Sequence, residues 1–327
     1  MIRGLQEKID KSKETIKLAA EMSQYYYHDK LILGYSGGKD SDVMLHLAYS
    51  CLNPYDFEVI NNHTTVDFPQ TVYHIREVFK YYEENGVKCT VSYAKYPDGT
   101  PITMWNLIEK NHTPPTQMMR FCCRMLKERS IPNRFIATGV RRSEGTKRKQ
   151  RKDFEVRTQK KEDAKRFETS HIKEVFDDAK RVQKEIGGGA NEVNSYDCTF
   201  IKQAKENGDL IVNPIIDWTD DDIWTYINDN QIKMNPLYKC GFPRVGCCSC
   251  PMGGTKGMLR DLNFAPKYRD AYIRAFEKML KIRKEKGLKT YGWESGEDVL
   301  NWWTREFANE CSGQLYLSDF IKQEVEK

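Results

Sequence analysis

The sequence contains no apolar run of membrane-spanning length, and a bilayer-crossing helix needs about 20 consecutive apolar residues. An integral membrane protein is therefore not expected. A signal-peptide core is also missing. The first 27 residues set Ile9, Ile16, Leu18 and Ala19 among charges, the pattern of an amphipathic helix rather than an export signal. The expected location is cytoplasmic. Nor is there a large excess of one charge: 52 Lys and Arg against 47 Asp and Glu leave a net charge of +5, so local clusters must point to partners. At Gly37-Gly38-Lys39 the Walker A spacing fails, because Leu33 stands five positions before Gly38 and Asp40 follows Lys39.

The composition, 39% hydrophobic and 30% charged over 327 residues, fits a globular chain of one large or two ordinary domains. Ten cysteines in a cytoplasmic chain argue against a disulfide framework and for metal or thiol chemistry. The chain is organised around residues 31–47. Leu31-Ile32-Leu33-Gly34 is a short apolar run, Tyr35-Ser36-Gly37-Gly38 a glycine-rich turn, and Val43, Met44 and Leu47 recur at helical spacing. This predicts strand, tight loop and helix. Gly37 and Gly38 allow close backbone approach. Ser36 and Ser41 supply hydroxyls, Lys39 a charge, and the helix start supplies N–H groups, so an anion such as phosphate is the expected occupant.

Ser36-Gly37-Gly38-Lys39-Asp40-Ser41 resembles the Ser-Gly-Gly-x-Asp-Ser loop of the ATP pyrophosphatase (PP-loop) superfamily. That resemblance implies a pyrophosphate grip and cleavage of ATP between its α and β phosphates, with Mg2+ accompanying the ATP. Strands at 57–60, 87–93 and 210–216 alternate with a helix through Val72, Ile75, Val78 and Phe79 and another after Thr219. This rhythm predicts an α/β fold with a doubly wound, mostly parallel sheet, and ligands in such sheets sit beyond the carboxyl ends of the strands. The family resemblance implies the adenine nucleotide alpha-hydrolase-like (HUP) type. The expected organisation is an N-terminal helix at 1–30, an α/β domain at 31–250 with a charged helical insertion at 143–195, and a helical C-terminal region at 251–327.

Further segments extend the likeness. His63-Thr64-Thr65-Val66-Asp67-Phe68-Pro69-Gln70-Thr71 resembles the Asp-Thr…Phe-Pro-Glu-Thr loop of 3′-phosphoadenylyl-sulfate (PAPS) reductases, with His63 and Gln70 as departures. His63 reads equally as a ligand contact or as a loop histidine bonded to nearby backbone. Thr138-Gly139-Val140-Arg141-Arg142-Ser143-Glu144 resembles the nucleotide-contacting turn of the same family, which implies Gly139, Arg141 and Arg142 at phosphate or sulfate oxygens. On this resemblance Ser36, Gly37, Gly38, Lys39, Asp40, Ser41, His63, Thr64, Gly139, Arg141 and Arg142 bind the nucleotide, and Lys39, Ser41 and Arg141 are catalytic. The basic run Lys147-Arg148-Lys149-Gln150-Arg151-Lys152 is either a solvated surface or a nucleic-acid contact.

Cys247-Cys248-Ser249-Cys250 presents a Cys-x-x-Cys pair in a loop bounded by Gly246 and Pro251, and Cys122-Cys123 forms a second pair. Cys122, Cys123, Cys247 and Cys250 could ligate either a 4Fe–4S cluster or zinc, with Cys240 and Cys248 as alternates. Adjacent cysteines followed later by Cys-x-x-Cys resemble the cluster-bearing adenylyl-sulfate (APS) reductases, as do the Asn235-Pro236-Leu237-Tyr238 flank and the Gly-Cys start. That likeness favours the cluster. Cys51, Cys89 and Cys198 read as buried small hydrophobes, and Tyr268, Tyr272, Phe276, Trp293, Trp302 and Trp303 as helix-packing residues.

The reductases end in Glu-Cys-Gly-Leu-His. Here the nearest match is Glu310-Cys311-Ser312-Gly313, 61 residues after Cys250 and without Gly-Leu-His. The expected function is therefore ATP pyrophosphatase-type adenylylation for sulfur transfer onto a substrate such as nucleic acid. The branch that the chain resembles is that of the PAPS reductase-like proteins of phages and mobile elements, or of the ATP pyrophosphatases of DNA phosphorothioation systems, and a cysteine desulfurase is the expected sulfur donor. The alternatives are an APS or PAPS reductase working with thioredoxin through Cys311, and a nucleotide-sensing or nucleic-acid-binding module without turnover.

Overall fold

The computed structural model describes residues 3–127, 135–145, 148–157 and 209–305. Cys198, Glu310, Cys311, Lys147 and residues 158–195 of the expected insertion lie outside the described residues. The chain divides into two compact units, Met1–Ile102 with Cys123–Cys247, and Thr103–Cys122 with Cys248–Lys327. The N-terminal helix thus falls in the first unit, and residues 103–122 group with the C-terminal helices.

Among the described residues the first unit is built on a six-stranded sheet. Its strands are β1 (Leu31–Gly34), β2 (Phe57–His63), β3 (Lys88–Tyr93), β4 (Phe135–Ala137), β5 (Phe154–Arg157) and β6 (Asp209–Val212), in the order β3-β2-β1-β4-β6-β5. Five strands run parallel; β5 pairs antiparallel with β6. Residues 154–157 fall where helix and loop were expected, and Phe154 is buried edge-on to Phe135, with ring centroids 6.1 Å apart. From β1 the chain winds outward through β2 and β3, then returns to the other side of β1 with β4. That reversal makes the β1–β4 border a switch point, where loops diverge and leave a crevice at the carboxyl ends.

Apolar residues alternate along the strands as the two-residue period requires. Leu31, Leu33, Phe57, Val59, Phe135, Ala137, Leu210 and Val212 join the main core, whereas Ile32 and Ile136 pack on the opposite face. α1 (Arg3–Tyr27) buries Leu5, Ile9, Ser12, Ile16, Ala19 and Ser23 at spacings of three and four. Ser12 accepts from Trp218 Nε1 at 3.0 Å and donates to the Pro214 carbonyl at 2.7 Å, tying α1 to the segment after β6. α2 (Lys39–Cys51) is buried over most of its circumference, as expected of a central helix. α3 (Pro69–Glu84) starts with proline in its first turn, where the missing N–H costs nothing.

α6 (Asp220–Asp229) follows α4 (Met104–Asn111) and α5 (Phe121–Leu126) in chain order. Thr219 caps it, accepting from Asp222 N, while Asp222 Oδ2 accepts from Thr219 N at 2.7 Å. Burial opposes ionisation of Asp222, but Lys8 Nζ at 2.6 Å and the Thr219 N–H outweigh it and hold the carboxyl below its ordinary value. A depressed folded-state pKa stabilises fully above the unfolded value of about 4 and is lost as pH falls through the folded value. Asp222→Asn should accordingly flatten the acid limb of a stability-against-pH curve from urea unfolding, with the difference from the parent closing as pH falls through the folded value.

In the second unit, α8 (Pro266–Glu285) packs against α4, α7 (Gly254–Phe264) and α9 (Gly296–Thr304), and α7 also touches α9. An aromatic cluster fills its centre: Tyr272 lies 5.1 Å from Trp105, 5.9 Å from Phe276 and 4.8 Å from Trp303. Trp303 Nε1 donates to the Pro115 carbonyl at 2.6 Å, and Arg283 donates to the carbonyls of Lys289 and His112. Tyr272, Phe276, Trp293 and Trp303 are buried, so these tail aromatics serve packing. Among the described residues no helix is long and apolar enough to cross a membrane.

Candidate functional site: a phosphate loop at the switch point

Residues 35–38 turn the chain from β1 into α2. Ser41 Oγ organises that turn from within. It accepts from Ser36 N at 3.3 Å and Gly38 N at 3.2 Å, and donates to the Gly38 carbonyl at 2.8 Å. Gly37 has φ +72°, and a Cβ there would lie 2.9 Å from Ile75 Cγ1, so both conformation and space demand glycine. The loop is clasped from outside by the turn after α6. Asn235, fully buried, donates to the Gly37 carbonyl at 2.9 Å and to Thr71 Oγ1 at 3.1 Å. The Tyr238 hydroxyl accepts from Lys39 N at 2.9 Å. Burial pushes the Tyr238 phenol up, which keeps it protonated.

Beneath the loop sits a buried polar group. Tyr35 OH donates to Asp42 Oδ1 at 2.5 Å, and His74 Nε2 lies 3.2 Å from the same oxygen. Burial first, then the neighbouring Asp42 charge, pushes the Tyr35 phenol well up, so it remains a donor. Tyr35 precedes the loop and Asp42 follows it, so their bond draws the two ends together.

The β4 turn lies alongside. Gly139 approaches α2 so closely that a Cβ would sit 3.1 Å from the carbonyl carbon and oxygen of Asp40. Arg141 has only 2% of its side chain exposed. Its Nε donates to Asp40 Oδ1 at 2.6 Å, Nη1 to Ser143 Oγ at 2.8 Å and the Trp218 carbonyl at 3.3 Å, and Nη2 to Asp220 Oδ1 at 2.6 Å. Lys39 Nζ, also buried, lies 3.7 Å from Asp40 Oδ2 and 3.2 Å from Asp220 Oδ1, and 6.0 Å from the Trp224 ring centroid. Burial raises the Asp40 pKa, with Arg141 and Lys39 opposing. Arg142 stands apart: it pairs with Asp217 and Asp153 and donates to the Arg151 carbonyl at 3.0 Å.

The second loop follows β2. His63 Nδ1 accepts from Thr65 N at 2.9 Å, and its ring lies 5.1 Å from that of Tyr93. Thr64 N donates to Asp67 Oδ2 at 2.8 Å. Cys247 bridges to Asp67 through its backbone, and its Sγ donates to Thr64 Oγ1 at 3.4 Å. The first cysteine of the Cys-x-x-Cys pair thus lies against the predicted nucleotide loop.

The thiols otherwise differ in setting. Cys248 is fully buried, with Sγ 3.9 Å from the Asp261 carbonyl; Cys122, Cys123 and Cys250 are half-buried, and Cys240 is exposed. Asp261 accepts from Ser249 N at 3.0 Å. Thiolates are a fitting donor class for iron–sulfur or zinc. However, among the described residues no three or more His, Cys, Asp or Glu side chains gather into a group able to hold a metal. Burial pushes the Cys89 thiol up to about 12 and raises that of Cys51, which makes both poor thiolates.

The sequence placed Ser36 to Ser41, Gly139 and Arg141 in one site, and these residues lie together. In the sequence Asn235 and Tyr238 stand out only as a flank of the cysteine segment, and Asp220 carries no motif. All three make long-range contacts that no spacing rule reports.

The chain belongs to the phosphoadenosine phosphosulfate reductase domain family, whose pattern it matches over residues 30–252. A loop of this make at the switch point of a parallel sheet places it in the PP-loop ATP pyrophosphatase superfamily. It is 26% identical over 269 residues to an uncharacterised protein of Methanocaldococcus jannaschii, covering 82% of this chain and 50% of that one. Shorter stretches resemble adenosine 5′-phosphosulfate reductases: 41% identity over 51 residues in Oceanobacillus iheyensis (16% of this chain, 21% of that one), and 50% over 38 residues in Neisseria meningitidis serogroup A (12% and 16%). The chain thus spans about half the length, or less, of these curated relatives. Among solved structures, the PAPS reductase of Candida auris in a phosphate complex is similar with a TM-score of 0.40 and 16% identity, covering 74% of this chain and 95% of that one. The U34-tRNA thiolase NcsA of Methanococcus maripaludis with its 4Fe–4S cluster gives a TM-score of 0.37 and 16% identity, covering 84% and 78%.

Proposed function

We propose that the chain is an enzyme that binds ATP at the 36–41 loop and uses it to adenylylate a substrate oxygen for sulfur transfer. The observation that carries this reading is the convergence at the switch point of the α2 N-terminus, Lys39 and the Arg141 guanidinium, a preorganised cationic cradle for phosphate oxygens. In the reaction the substrate oxygen attacks the α phosphorus, the α–β phosphoanhydride bond breaks, and pyrophosphate leaves toward Lys39 and the loop amides. The outer sulfur of a partner persulfide, such as that of a cysteine desulfurase, then attacks the activated atom and AMP leaves with the former substrate oxygen; a second thiol reduces the resulting disulfide and releases the thiolated product. Mg2+ enters with the ATP. Ser41 acts by holding the loop amides in place. Nucleic acid is a fitting sulfur acceptor because the 147–152 run is basic.

A second reading is favoured by the short, higher-identity matches to adenosine 5′-phosphosulfate reductases: the loop holds a sulfonucleotide, which thioredoxin and Cys311 reduce to sulfite. Two assays separate the readings. Pyrophosphate release from ATP supports the first. Thioredoxin-dependent sulfite release from APS or PAPS, without pyrophosphate release from ATP, would replace it with the second. Binding of nucleotide with neither product would leave a sensing module.

Cys122, Cys123, Cys247 and Cys250 are the residues proposed to hold a 4Fe–4S cluster, with zinc as the alternative metal. A bound cluster would have its charge and potential tuned by the hydrogen bonds made to its sulfurs. Anaerobically purified protein is expected to be brown, with a broad absorbance band near ~400 nm and matching iron and sulfide counts. A colourless, zinc-loaded protein would overturn the cluster.

A further inference from the structure

Asp220 holds an unusual position in the site. It is the first residue of α6, yet the cap of that helix is made by Thr219 and Asp222, so its carboxylate is free to act elsewhere. One oxygen of that carboxylate, Oδ1, lies 2.6 Å from Arg141 Nη2 and 3.2 Å from Lys39 Nζ. The two cations are almost wholly buried, with 2% and 7% of their side chains exposed, whereas Asp220 is 61% exposed. An exposed acid therefore covers two buried cations. Its removal needs only a side-chain rotation into solvent. Arg141 would stay anchored by Asp40, Ser143 and the Trp218 carbonyl, leaving Nη2 and the Lys39 ammonium facing the vacated point.

We propose that Asp220 is a specificity-determining residue: its carboxylate fills the oxyanion position shared by Lys39 and Arg141, and only a ligand that brings its own phosphate or sulfate oxygen there displaces it. The inference rests on the nucleotide-binding reading. An anion bridging two cations through one oxygen has the geometry that a phosphate oxygen adopts in the same place. Burial opposes ionisation of Asp220, but Arg141 and Lys39 outweigh it and hold the pKa below the ordinary value. The placeholder is thus charged at neutral pH, and a ligand must outcompete it. A ligand's apparent affinity is lowered by the fraction of molecules in which the position is open. A nucleoside without phosphate never meets this competition. The residue therefore sets a charge threshold for entry and discourages weakly anionic ligands.

Asp220→Asn keeps the shape and removes the charge. The test is isothermal titration of the full chain and of this variant with ATP, inorganic pyrophosphate and adenosine. Thermal melts confirm folding, and Asp220→Ser serves as a second variant. The expected result is that Kd for ATP and pyrophosphate falls on the order of tenfold in both variants, since a charge-assisted competitor is gone, while Kd for adenosine does not change. Unchanged or weaker ATP and pyrophosphate binding in the variants, with clear binding by the parent chain, overturns the proposal and leaves the nucleotide reading standing. A parallel tightening of adenosine also overturns it, because the effect would then not depend on an oxyanion. If neither parent nor variants bind any phosphate ligand, the nucleotide reading fails and this inference falls with it.

Discussion

Arg141→Met is expected to destabilise the chain by about 3–5 kcal/mol, the usual cost of removing one member of a buried ion pair. The methionine fills much of the same volume, so little of the loss comes from a cavity. What remains is the Asp40 carboxylate, only 20% exposed, without the guanidinium that donates to it at 2.6 Å. Ser143 Oγ and the Trp218 carbonyl lose a donor as well. Lysine would not rescue the site, because a single ammonium cannot reach Asp40, Ser143 and Asp220 in the fork geometry that Arg141 uses. The effect should depend on pH. Burial already raises the Asp40 pKa, with Arg141 and Lys39 resisting, and loss of Arg141 raises it further. A raised folded-state pKa contributes stability below the unfolded value of about 4 and loses it as pH rises through the folded value. The deficit of the variant relative to the parent should therefore be largest at neutral pH and shrink toward acid. Urea unfolding followed by circular dichroism at several pH values measures it. A deficit that does not vary with pH would show that Asp40 is not the group left uncompensated.

Lys39→Ala should weaken ATP binding by about one to two orders of magnitude, because a charge-assisted hydrogen bond to a phosphate contributes roughly 1.5–3 kcal/mol. The fold should persist. Lys39 occupies the first turn of α2, its N–H bond to the Tyr238 hydroxyl is made by backbone, and alanine retains it. The lost ammonium also releases Asp220 from one of its two partners, so the remaining carboxylate would repel an incoming phosphate more strongly. The combination Lys39→Ala with Asp220→Asn should then recover part of the lost affinity. Titration calorimetry of the single and double variants gives the coupling directly. Unchanged affinity in Lys39→Ala would remove the loop from the phosphate site.

Much of this site could be read along the chain because its chemistry is local. Ser36, Gly37, Gly38, Lys39, Asp40 and Ser41 are consecutive, and their functions follow from a tight strand-to-helix turn: positive φ at Gly37, amides gathered on Ser41 Oγ, and a cation at the helix start. The alternation of strands with helices was legible for the same reason, since period and turn chemistry act over a few residues. The strand at 154–157 was not, because Phe154 is held by packing on Phe135, a residue from a different strand. The cysteine pairs were legible as chemistry, because thiols two residues apart or adjacent are a local pattern.

The sequence by itself determined the glycine-rich turn between strand and helix, the parallel α/β architecture and the membership of the PAPS reductase family, all of which reside in short contiguous segments. Only the tertiary structure decided that Asn235 and Tyr238 clasp the loop, that Tyr35, Asp42 and His74 tie its ends from below, and that Asp220 sits on the two cations. The reason is physical: local conformation depends on near neighbours in sequence, whereas pairing of buried charges depends on which distant residues the sheet order brings within about 3 Å.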